Sequence, residues 1–470
     1  MIFKFDTIDF LIKISRFNFG KFERAEFRKF LLMGLMFALI IGVYWTLRPL
    51  RDAIFIGLVD KMDLPYAKTL SVIVLLPLVI SYTQALERLS WRKMLVFMPI
   101  IYSVCFMLMS IAITFAQDPA YPKAEMPLLT FVAVQALGYL CYILVESFGS
   151  LVVALFWAFS SDTTEPTSAK HGFPLVIAIG QIGGMILPYA VGGLPYRLGL
   201  YTDGLSMFIV SILIFCIVPL FKYFLKTTPK NLLVSFQEQN KINDELTKQE
   251  APGFFSGFKL ILAHKYLLGI FMVNFIYDFL VTIFDFNFKI TASLHYTGVA
   301  LTNYLSIYGS TVNAVSLLCL LLGISSITRF LGVRVSLVIT PIVVSLALIG
   351  FLFLDSLSFL YGIMLASKAI NYSLNGPTLK QLYIPVTREA RFKAQAWIET
   401  FGSRTAKDGS SLINMLLKPL QSSFGEAAGK FYYLGITGIL GFPLLALWFI
   451  TAIYLGGKFT KAVQEKKLIC

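Results

Sequence analysis

The chain has 470 residues, 57% of them hydrophobic and only 14% charged, with a mean hydropathy of +0.75. Soluble domains are near half apolar and a quarter charged, so this composition excludes a soluble globular protein and points to many membrane crossings. The net charge of +14 arises from 40 Lys and Arg against 26 Asp and Glu, but most of those cations lie between apolar stretches, which argues against a nucleic-acid surface.

Residues 1–30 are basic, aromatic and amphipathic, with Phe3, Lys4, Phe5, Lys13, Arg16 and Lys21. They lack a signal-peptide core with a small-residue cleavage site, which predicts a retained cytoplasmic or interfacial segment. Twelve apolar stretches follow, at 31–49, 67–86, 94–116, 128–158, 172–193, 205–225, 266–288, 303–326, 333–354, 357–379, 395–424 and 431–456. Each is long enough for the ~20 residues that a spanning helix needs, and the fourth and eleventh must tilt, kink or run on into water. With both ends on one side, 28 Lys and Arg fall on that side and about six on the other. The positive-inside rule then makes both termini cytoplasmic. Residues 226–265 form a polar cytoplasmic loop between a six-helix half at 31–225 and a second at 266–456, and 457–470 form a cytoplasmic tail. The whole reads as an all-α polytopic protein with 12 transmembrane helices in a 6+6, major-facilitator-like arrangement, whose halves alternate access to a midplane site.

Several of these stretches carry charges that lipid penalises by roughly 3 kcal/mol each. They are Arg48, Arg51, Glu146, Asp278, Asp285, Lys289, Lys368, Glu399, Arg404, Lys407 and Asp408. More basic than acidic, the set suggests an internal polar cavity for an anionic solute. The first stretch ends TLRPLRDAIF, where Pro49 disturbs the helix and Arg48 and Asp52 are spaced to pair, leaving Arg51 freer. An arginine fork suits phosphate or carboxylate oxygens. In the fourth, Glu146 has no partner on its own helix and must pair across helices, take a proton or meet the substrate. Gly149 and Ser150 beside it allow a close helix contact. In the seventh, Asp278, Asp285 and Lys289 fall on one stripe, with Asp285 and Lys289 spaced to pair. The eleventh, QAWIETFGSRTAKDGSSLIN, sets Glu399, Arg404, Lys407 and Asp408 among Gly and Ser, room beside two cations for a polyanion.

The five cysteines form no paired framework and the three histidines lie far apart, so neither a disulfide, a metal nor a cofactor is expected. Phosphate-loop, zinc-protease and nucleophile-elbow motifs are all absent, which argues against an enzyme. The glycines of GQIGG (180–184) read as helix packing rather than a phosphate cradle.

From about residue 28 to 455 the chain resembles the bacterial and plastid ATP/ADP translocase family of nucleotide transporters, as a divergent member. LRPLRDAIF is similar to the family's L-R-x-x-K-D, with Arg51 for the lysine and Asp52 kept. VESFGSLVVALFWAFSSD resembles E-L-W-G-S-V-V-x-S-L-L-F-W, matching at Glu146, Gly149, Ser150, Phe156 and Trp157. FDFNFK resembles E-V-T-W-K, with Asp285 for glutamate and Lys289 retained. The segment from Asn375 to Leu412 resembles the family's D-P-T-K-E … Y-I-P … R-x-G-K-S-G-G, matching at Pro377, Thr378, Tyr383, Ile384, Pro385, Glu389, Lys393, Arg404 and Lys407. Gly376 replaces an aspartate there, and Glu399 another.

The resemblance implies a carrier for nucleotides, by ATP/ADP exchange or proton-coupled uptake. Arg51, Lys407, Arg404 and Lys289 would hold phosphates. Glu146, Asp285, Glu399 and Asp278 would take a coupling proton or the substrate's polar edge, and Tyr44, Phe156, Trp157 or Trp397 could stack a base. The alternative is a carrier for another phosphorylated or anionic metabolite, and the third reading a non-transporting scaffold or receptor. The expected setting is a bacterial inner membrane, as in an intracellular bacterium, with a monomer whose partners are substrate, protons and lipid, and no nucleic acid.

Overall fold

In the computed structural model of the chain, the described residues are 23–89, 91–120, 125–164, 166–233, 256–321, 327–354, 356–387, 390, 394–395, 397–465 and 468–469. Among them the regular structure is helical. In chain order the helices are α1 (Arg24–Leu58), α2 (Leu64–Arg88), α3 (Trp91–Ala116), α4 (Leu128–Asp162), α5 (Pro166–Leu187), the single turn α6 (Leu194–Arg197) and α7 (Gly204–Thr227). After the central segment come α8 (Ser256–Ala263), α9 (Lys265–His295), α10 (Gly298–Leu321), α11 (Ile327–Phe353), α12 (Leu357–Ile370), α13 (Gly376–Gln381), α14 (Ser403–Met415), α15 (Leu417–Phe424) and α16 (Glu426–Gln464). The expected amphipathic character of the N-terminal segment falls largely outside the described residues, as does most of the central loop.

Nine helical segments among the described residues are long and apolar enough to cross a bilayer. They correspond to the expected stretches except 303–326, 357–379 and 395–424. The first of these is α10, which ends at Leu321 before a segment outside the described residues. The other two are broken by one-turn π-helices at Asn371–Asn375 and Ile398–Gly402, and a third π-turn, Pro188–Gly192, continues α5. Such turns leave backbone groups looser than an α-helix does and recur at functional sites. By contrast, α1 runs through Pro49 without ending. Leu129, Phe353 and Ile439 are each more than 70% exposed, a cost in water that acyl chains remove.

The chain folds as two compact units. Unit 1 comprises residues 1–60, 73–249 and 296–314. Its centre is α1 packed on α5, α4 and α7, with α3 on α7. Glycines set the α1–α5 spacing: a Cβ at Gly183 would lie 2.0 Å from the Ala38 carbonyl oxygen, and one at Gly42 would lie 2.7 Å from that of Gly183. GQIGG is thus a packing motif. A phenylalanine-dense core of Phe30, Phe106, Phe148, Phe156, Phe159 and Phe221 fills the rest. The buried ammonium of Lys29 donates to the Thr163 carbonyl that ends α4 (2.5 Å) and to that of Leu232 (2.9 Å), a favourable place for a cation at a helix C-terminus.

Unit 2 comprises residues 61–72, 250–295 and 315–470. Here α9 packs on α14 and α16, and α11 on α16. A buried polar relay ties three of these together. Asn287 on α9 donates to the Tyr433 hydroxyl (2.8 Å), which donates to Asn414 on α14 (2.7 Å). A group paired this way in an apolar interior fixes helix rotation, since any slip leaves its members unpaired.

Candidate functional site

In unit 1 the charged groups gather around Arg51. Its side chain is buried, with Nε donating to Asp52 Oδ1 at 2.9 Å and Nη2 at 2.7 Å from the same oxygen. Nη1 pairs with Glu146 Oε1 across to α4, and the guanidinium lies 4.2 Å from the Tyr142 ring centre. Asp52 thus serves Arg51, which is not the freer arginine expected, and Arg48 lies over the rings of Trp45 (5.1 Å) and Tyr44 (5.6 Å). Asp52 is 3% exposed and Arg51 2%, and a carboxylate that deep needs a cation beside it. Glu146 finds its partner across helices, as its isolation on α4 required, and keeps 28% of its side chain exposed. Arg51 is therefore not free; an anion reaches its fork only by displacing Glu146.

In unit 2, Asp278, Asp285 and Lys289 share one face of α9. Asp285 is held by two ammoniums, Lys289 through Oδ2 and Lys368 of α12 through Oδ1 at 3.0 Å. Asp278 accepts from the Ser403 hydroxyl and lies 3.8 Å from the Lys407 ammonium. Lys407 is the open member of the group, its side chain 44% exposed. Arg404 is half-buried on the same helix and makes no ion pair among the described residues. Asp408, one turn further along the helix, accepts from the Thr69 hydroxyl at 2.7 Å. Ser410 and Ser411 both donate back to the Lys407 carbonyl, bracing the helix beneath the ammonium. The Glu399 side chain lies outside the described residues. In this unit Lys289 and Lys368 share Asp285, and Lys407 stands by Asp278.

Lys368 stood among the charged residues of the sequence without a role. Nothing local marked it, because its partner lies 83 positions earlier on another helix. The aromatic candidates divide. Phe156 is 1% exposed and stacks on Phe37 at 4.8 Å, with Trp157 and Phe159 around it, so it is core rather than a base platform. Trp157 is half-buried, with the rings of Phe37, Phe156 and Phe173 at 5.1–5.6 Å. Tyr44 is half-buried beside Gly149, where a Cβ would come within 2.2 Å of its ring. Trp397 joins Phe258 and Phe401 in unit 2, and its indole N–H is buried without a hydrogen bond among the described residues.

Comparison with known proteins adds a family and a fold. Residues 11–362 and 360–459 match the family described as TLC ATP/ADP transporter. ADP,ATP carrier protein 1 of Rickettsia typhi is 23% identical over 487 aligned positions, covering 95% of this chain and 96% of that protein. ADP,ATP carrier protein 3 of Rickettsia prowazekii is 26% identical, covering 84% and 88%. Among solved structures, a bacterial homologue of the iron transporter ferroportin aligns with a TM-score of 0.58 at 10% identity over 93% of this chain and 98% of its own. A D-xylose-proton symporter aligns at 0.56 and 14%, over 91% and 95%. These two likenesses show the fold alone.

Proposed function

We infer the function from one premise: the chain belongs to the TLC ATP/ADP transporter family. It is a membrane carrier for nucleotides. The phosphates are proposed to bind in unit 2, on Lys407 and Arg404 first and on Lys289 and Lys368 as Asp285 lets them go. The observation that carries this reading is the single Asp285 carboxylate shared by two ammoniums. Such a pairing keeps the cations in place without substrate, and a multiply charged phosphate can compete for them where one carboxylate only balances one. Asp278 plays the same part toward Lys407. In unit 1 the Arg51–Glu146 pair is proposed to open at its exposed carboxylate edge, either to an anion or to a proton on Glu146. The half-buried Tyr44, Trp157 and Trp397 are the rings proposed to stack a base; Glu399 retains its proposed polar role on sequence alone.

A smaller phosphorylated or carboxylated metabolite is the second reading, favoured because Phe156 is committed to packing. The two halves at 31–225 and 266–456, cytoplasmic termini, an inner-membrane location and a working monomer complete the proposal.

The test is uptake of radiolabelled ATP, ADP, the other nucleoside triphosphates and NAD by intact bacterial cells expressing the chain, with and without a protonophore. Saturable uptake that unlabelled nucleotide chases out, indifferent to the protonophore, means exchange. Collapse with the protonophore means proton coupling. Inhibition by small phosphorylated metabolites, with no uptake of any nucleotide, would replace the first reading by the second.

A further inference from the structure

Unit 1 holds a buried carboxylate that neither cluster uses. Asp203 stands just before α7 and has no exposed surface. An aspartate there ordinarily caps the helix with its side chain, yet Asp203 makes no such bond. Gln117, one residue past α3, takes hold of it instead. Its Nε2 donates to Asp203 Oδ2 at 3.2 Å, and its Oε1 accepts from the Asp203 backbone N–H at 2.8 Å and the Thr202 hydroxyl at 3.0 Å. The Gly204 N–H donates to the Thr202 hydroxyl at 3.1 Å, closing the ring. The strand of chain before α7 is thus pinned to the end of α3 by an amide that never changes its charge.

The other carboxylate oxygen, Oδ1, is buried and makes no hydrogen bond of ordinary geometry among the described residues. Thr302 of α10 lies alongside, near enough to act on the carboxylate, and its buried hydroxyl is also without a formed bond. From α4 the facing titratable group is Cys141, within electrostatic reach. Among the described residues no Lys, Arg or His pairs with Asp203, whose neighbours are amide, hydroxyl and thiol. A carboxylate ionised in such a place lacks the partner that buried charges require. Burial accordingly pushes its pKa up to about 6, although Gln117 and Thr302 pull the other way.

Thr302 also heads a row. Thr302, Ser306 and Ser310 recur every four residues along one face of α10, all buried, and among the described residues their hydroxyls have no hydrogen-bond partner. The wall opposite is glycine: a Cβ at Gly192 would come within 2.3 Å of Ser306 Oγ. Unpartnered buried hydroxyls are uncommon, and three in register with an unpartnered carboxylate oxygen call for a reason. A hydroxyl is both donor and acceptor, so such a row can reverse its polarity when the group at its head changes state.

We propose that Asp203 is a proton-binding site, with the Thr302 hydroxyl as the partner of its free oxygen. With the proton bound, the Asp203 O–H donates to Thr302 Oγ1; with the proton gone, Thr302 donates to the carboxylate. Gln117 holds the other oxygen in both states. The site is separate from the anion clusters and stands whatever the cargo is.

The test uses the purified full-length chain and follows the carboxyl C=O stretch by infrared difference spectroscopy between about pH 8 and pH 4.5, a range that brackets ordinary and raised carboxyl values. A band titrating near pH 6 is expected in the wild type, kept in Glu146→Gln and lost in Asp203→Asn. Thr302→Val removes a donor to the carboxylate and is expected to move the midpoint upward. A band unchanged in Asp203→Asn overturns the proposal. If that variant is not recovered folded, Thr302→Val decides alone, and an unmoved midpoint overturns it.

Discussion

Lys407 has a far more open side chain than Lys289 or Lys368, 44% exposed against 13% and 10%, and its ammonium lies 3.8 Å from Asp278. Lys407→Ala is expected to weaken nucleotide binding by about 10- to 100-fold, the worth of one charge-assisted contact, and to leave the protein folded. Direct binding to the purified variant checks this. Asp285→Asn should act in the opposite direction. Freed of their shared carboxylate, Lys289 and Lys368 are expected to bind the anion several-fold more tightly while turnover falls, since release becomes the slow step. Weaker binding would mean that Asp285 touches the substrate instead of competing with it. Asp203 gives a pH dependence with a definite sign. Its folded pKa of about 6 lies above the ordinary ~3.9, so between those values the folded chain holds a proton that the unfolded chain has lost. Stability relative to Asp203→Asn should therefore be greatest below pH ~4 and fall as pH rises to ~6, by at most about 3 kcal/mol, then stay flat. Thermal melts of both proteins across that range measure it.

Among the helices, the α1–α5 contact depends most on a missing atom. Gly183→Ala would drive a methyl into the Ala38 backbone, which cannot rotate away as a side chain could. Overpacking of this kind costs about 1–3 kcal/mol, so the variant should melt several degrees lower, with transport reduced in proportion to folded protein. An unchanged melting temperature would mean that the two helices move apart at little cost. The sequence made this contact readable, because Gly180, Gly183 and Gly184 fall within one turn of an otherwise bulky helix. It did not make the π-turns readable. Asn371–Asn375 and Ile398–Gly402 sit inside stretches whose hydropathy is that of ordinary spans, and one extra residue per turn changes no composition.

At the scale of the whole chain, cytoplasmic termini are expected to show as tags at both ends that a protease reaches only after the bilayer is breached. A tag cleaved on intact cells would overturn that topology. The sequence by itself determined the solvent and the fold class, since stretches of ~20 apolar residues leave the backbone no alternative to helix in lipid. It also determined which charges must face inward, and the pairing of Lys289 with Asp285, because one turn of helix fixes that distance. Only the tertiary structure decided the partners drawn from far along the chain. It gave Asp52 to the buried Arg51, brought Glu146 to the same guanidinium and Lys368 to Asp285, and buried Phe156 in the core. Among the described residues it also left Asp203, at the start of α7, without a cation. Spacing along a helix says which residues share a face; burial decides which charge each must find, and burial exists only once the helices have packed.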